Sequence, residues 1–83
     1  MIPSFEKRKQ IAVSIIAALD EHKPAAQFLL SLTADDRAAL KALKNVPVFL
    51  IMPYLTETVD LRANREFLQE NGGTYIREII KLL

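Results

Sequence analysis

Residues 46–55 read Val-Pro-Val-Phe-Leu-Ile-Met-Pro-Tyr-Leu and carry no charged or amide side chain. Phe49, Leu50, Ile51 and Met52 are consecutive, so their side chains point in several directions in any regular backbone conformation. Elements on either side must therefore cover them. Val, Phe and Ile favour extended structure, but the chain has no second candidate strand, and a lone strand would leave its backbone groups unpaired. The stretch is expected to be a short helix over residues 47–52, opened by Pro47. Pro53 is expected to break it, because an interior proline lacks the N–H that the helix needs and clashes with the preceding turn.

Working outward, the flanking segments have helical periodicity. At about 100° per residue, Phe5, Ile11, Ala12, Ile15, Ile16 and Leu19 fall in one arc of a helix over residues 5–22, with Ser4 as its cap. Val13 and Ala17 fall outside that arc, on the polar side. Pro24 suits the start of a helix over residues 24–32. Thr33-Ala-Asp-Asp36 is a capping signature for a third, over residues 34–44, with Ala39, Leu40 and Leu43 inward.

Beyond residue 55, threonines and Asp60 offer several caps for a helix carrying Leu61, Asn64, Phe67 and Leu68 on one face. Gly72, as a left-handed cap, and Gly73 are expected to end it after Asn71. Thr74 would then cap a last helix over residues 75–83, docked by Ile76, Ile79, Ile80 and Leu83. The expectation is an all-α fold, a single compact bundle of about five short helices forming one domain over residues 1–83.

Several function classes are weighed down by composition. The chain is 51% hydrophobic and 25% charged, which is globular rather than disordered composition. Eleven basic and ten acidic residues give a net charge of +1, no whole-chain signature for nucleic acid or an anionic membrane. The apolar run is about half the ~20 residues that span a bilayer, and two prolines interrupt it. The amino terminus lacks the pattern of a signal peptide, so the protein is expected to be cytoplasmic.

No motif identifies a reaction. Cysteine is absent, and the two glycines are adjacent rather than spaced to cradle a phosphate. Asp20, Glu21 and His22 are consecutive, so on a helix they diverge instead of converging on a metal. Ser14 and His22 lie roughly 12 Å apart along a helix axis, too far to hydrogen bond. The protein is expected to be non-enzymatic, with no catalytic residues, cofactor or metal.

Two positive readings stand. A core this small is marginal unless reinforced by disulfides, metal or self-association, and without cysteine or a zinc ligand set the third route is left. The first reading is therefore a protein-protein interaction or assembly module. It pairs with itself, as a dimer, or with another protein through Val13, Phe49, Met52, Tyr54 and Leu55; Tyr75 is a further apolar residue expected near the surface. The second is a nucleic-acid-binding helical module using the basic run Lys7, Arg8 and Lys9 with the stripe Arg37, Lys41 and Lys44. Asp35 and Asp36 count against it, since they stand where a duplex would approach the third helix.

Overall fold

In the computed structural model of the chain, which describes residues 2–83, the Ser4 hydroxyl accepts from the Lys7 backbone N–H at 3.2 Å and opens α1, Phe5–Asp20. Met1, the start of the expected lead-in, lies outside the described residues. The helix ends where His22 takes a positive φ of 56°. That residue lets the Lys23 N–H reach back to the Ala18 carbonyl at 2.9 Å and its own N–H reach Leu19 at 3.2 Å, the paired bonds of a Schellman ending.

Pro24 and Pro47 sit just ahead of α2, Ala25–Leu30, and α4, Val48–Thr56, rather than inside them. Between these lies α3, Ala34–Ala42, where the Thr33 hydroxyl accepts from the Asp36 N–H at 3.1 Å as its capping pattern predicts.

Two expected breaks are absent. Helix α4 continues through Pro53 to Thr56. Phe49, whose carbonyl loses its helical donor to the proline, and Pro53 itself both lie on the solvent side, so water rather than the core meets the defect. The threonines expected to start the next helix close this one instead: the Thr58 hydroxyl donates to the Leu55 carbonyl at 2.7 Å, and that of Thr56 to Pro53 at 3.4 Å.

The second break was expected at Gly72 and Gly73. A single helix, α5, Arg62–Leu82, runs through both, and neither glycine has a positive φ. Buried Leu68, Gly72, Tyr75, Ile76 and Ile79 form one stripe in helical phase, so ending the helix after Asn71 would throw half of that stripe out of register. Thr74 accordingly lies midway along the helix, exposed, instead of capping one, and Leu61 precedes the helix without a side-chain cap.

The core is built on α1, α4 and α5, which pack against one another, with α2 laid on α5 and α3 on α1. Lys9 of α1 reaches Asp60 just before α5, and Tyr75 of α5 reaches Lys23 just after α1, so these two helices run in the same direction. Helix α4 opposes them. Met52 meets α5 at Gly72, and Lys44, ahead of α4, donates to the Leu83 carbonyl beyond α5 at 3.0 Å.

Ile11, Ile15, Phe28, Leu43, Ile51, Leu55, Leu68, Ile76 and Ile79 are almost wholly removed from water, each contributing on the order of 1.5–3 kcal/mol of hydrophobic stabilisation. Among the described residues no helix is long and apolar enough to cross a membrane.

Candidate functional site: two apolar surfaces and a neutralised basic run

The residues singled out for an interface divide between places. Leu55 is 0% exposed and belongs to the core, and Tyr75, also expected near the surface, is buried against Phe28 with the ring centroids 5.9 Å apart. Neither offers surface to a partner. Met52 and Tyr54 are half-buried. Phe49 is 73% exposed and Leu50 41% exposed, and with Pro53 they make an apolar outer face on a helix that has no charged residue anywhere along it.

Val13 lies elsewhere. It is 54% exposed and lines a groove of about 510 Å³ between α1 and α5, together with Ile16, Ala17, Ala63 and Phe67. The groove continues past Val13 into a smaller recess of about 180 Å³ that takes in Leu61 and the Lys9–Asp60 pair. No α4 residue lines either part. The off-arc positions Val13 and Ala17 thus border this groove, and the face expected to bury Leu61, Asn64, Phe67 and Leu68 together is split. Leu68 enters the core while the other three border the groove.

The basic run at the start of α1 is matched charge for charge. The Lys7 ammonium lies 2.8 Å from both Asp35 and Asp36. Hydrogen bonding to Asp35 and then Asp36 holds its pKa above the ordinary lysine value, and the bond from Lys7 holds the Asp36 carboxyl below its own against the opposing effect of burial. Lys9 pairs with Asp60 at 2.8 Å, which likewise raises its pKa.

Arg8 is held most closely. Its guanidinium contacts Glu57 and donates to the Tyr54 carbonyl at 3.1 Å, and its carbon stands 5.9 Å from the ring centroids of both Phe5 and Tyr54. Phe5, expected in the core, is 47% exposed as one side of this stack. The Arg8 Nε is buried without a partner among the described residues. These three cations therefore fasten α1 to α3 and to the segment joining α4 and α5.

Arg37, Lys41 and Lys44 lie on exposed positions of α3 and just beyond it; Arg37 and Lys41 have no carboxylate partner among the described residues, whereas the Lys44 ammonium is held by the main-chain oxygen of Leu83. The Arg37 guanidinium donates to the Leu32 carbonyl at 3.4 Å.

The chain matches no protein-family model, no curated protein and no solved structure. The assignment of a role thus rests on the surfaces themselves. Among the described residues no three His, Asp or Glu side chains gather as a metal site would require.

Proposed function

We propose that this protein is a small non-enzymatic interaction module that pairs with itself through the outer face of α4. The observation that carries the reading is the exposure of Phe49 and Leu50 beside Pro53 on a helix without a single charged side chain. A helix facing only water normally carries charge on its outer side, and large exposed aromatic and aliphatic groups grouped on one face mark association surfaces. Met52 and Tyr54 flank the face, one adaptable in shape and the other combining an apolar ring with a polar tip. A twofold arrangement would lay the same patch on itself, as closed homodimers do.

Sedimentation equilibrium over a concentration series tests this on the wild-type chain and on Phe49→Glu. The wild type is expected to approach the dimer mass at high micromolar concentration. The variant should remain a monomer with an unchanged circular dichroism spectrum, since Phe49 supports little of the core. A wild-type monomer throughout the series would end the reading. Mass gained only with a short mixed-sequence DNA at low salt would replace it with nucleic-acid binding through Arg37, Lys41 and Lys44.

A further inference from the structure

The groove between α1 and α5 is floored by Ile16, Ala17, Ala63 and Phe67, with Val13 at its centre, and opens next to Leu61. The two alanines keep its floor low enough for another backbone to approach. Its polar rim is not neutral. Asp20 stands at one end; at the other, Asp60 is paired to Lys9, the only cation among the described residues that line it, and Glu6 adds a further carboxylate just beyond, in an adjoining hollow on α1 that shares Lys9 and Val13. Glu6 and Asp20 are separated along α1 by roughly 21 Å at ~1.5 Å per residue. Net acidic charge therefore flanks the apolar trough at both ends, the carboxylates of Glu6 and Asp20 lying about four helical turns apart along α1.

We propose that this groove receives an amphipathic helix of a partner protein, about four turns long. Such a helix carries apolar side chains spaced i, i+3 and i+7 along its middle and lysine or arginine at both ends. A helix seated in an apolar groove is a recurrent mode of recognition, with the apolar anchors setting affinity. Opposite charge at the rim sets orientation and excludes acidic competitors. The site is independent of pairing through α4, because no α4 residue contributes to it.

The probe is a synthetic helical peptide of that design, leucine in the stripe and lysine at both ends, followed by fluorescence anisotropy with the full chain. Saturable binding in the micromolar range is expected. A peptide with glutamate replacing the lysines should bind at least about tenfold more weakly, a difference that is about 1.4 kcal/mol and that shrinks as salt is added.

Val13→Asp, at an exposed position, should reduce binding at least about tenfold with an unchanged melting temperature, and Asp20→Lys should remove the preference for lysine ends. Equal binding of the two peptides, no saturation with the lysine peptide, or indifference to both substitutions would overturn the proposal. So would a fall in the protein's own mass on Val13→Asp, which would show that a second copy fills the groove. Sedimentation of Phe49→Glu reads the α4 face separately.

Discussion

The Tyr75 hydroxyl donates to the Lys23 carbonyl across 2.7 Å, joining residues 52 positions apart in sequence. The carbonyl belongs to the turn that ends α1, and the ring stands edge-on to Phe28 of α2, so one side chain of α5 fixes how two other helices meet it. Burial holds the hydroxyl's pKa above the ordinary tyrosine value, with nearby Glu78 adding to the effect, so it remains a donor at neutral pH. Tyr75→Phe keeps the ring and removes the bond. The loss should cost about 1–2 kcal/mol and lower the melting temperature by roughly 4–8 °C per kcal/mol in a chain of this size. A variant as stable as the wild type would show that water replaces the hydroxyl without cost.

The same turn contains a residue working against its own conformation. His22 has φ of 56°, a region that a side chain with a Cβ enters at a cost, and glycine is the usual occupant of this position after a helix. His22→Gly should raise stability by about 0.5–1 kcal/mol, visible as a higher urea midpoint with an unchanged slope. A lower midpoint would mean that the imidazole contributes more by contact than its backbone strain costs.

The adjacent glycines of α5 should respond oppositely to the same change. Among the described residues a Cβ at Gly73 meets nothing within 4 Å, so Gly73→Ala should gain about 0.5–1 kcal/mol from helix propensity alone. A Cβ at Gly72 falls 2.8 Å from Cδ1 of Leu68 and 3.4 Å from Cε of Met52. Leu68 is 0% exposed and has little room to turn. Gly72→Ala should therefore end at least about 1 kcal/mol less stable than Gly73→Ala. Equal melting temperatures for the two would show that Leu68 adjusts freely.

Gly72 and Pro53 also show where the sequence was legible and where it was not. Ser4 and Thr33 announce helix starts through bonds made within three residues, and both bonds are present. The breaks expected at Pro53 and Gly72 rest on local preferences of about 3 and 1 kcal/mol, and neither breaks its helix. At Gly72 the in-phase stripe from Leu68 to Ile79 was readable in advance and argued for continuity. At Pro53 the tolerance depends on which side of α4 faces water, a property of packing and not of the local sequence.

The surfaces divide in the same way. Val13 and Ala17 were visible as apolar residues off the core arc of α1, but the walls supplied by Ala63 and Phe67 depend on α1 and α5 lying side by side. Leu55 and Tyr75 have nothing local to distinguish them from exposed neighbours. Lys7, Arg8 and Lys9 read as a free basic run because their acidic partners lie 29, 49 and 51 residues away.

The Lys7–Asp36 pair should impose a measurable pH dependence. Asp36 has its pKa lowered from an ordinary 3.8, so its contribution is present above that value and is lost as pH falls through the lower folded-state value. Lys7 has its pKa raised from 10.5, so its contribution is present below that value and is lost as pH rises through the higher folded-state value. The tie between α1 and α3 is therefore intact from about pH 4 to about pH 10 and loosens outside that window. Lys7→Met removes both limbs while keeping an apolar stem that ends where the ammonium began. The difference in urea midpoint between wild type and variant should be flat across the window and should shrink toward zero at either extreme. A difference independent of pH would assign the loss to packing of the lysine stem, not to its charge.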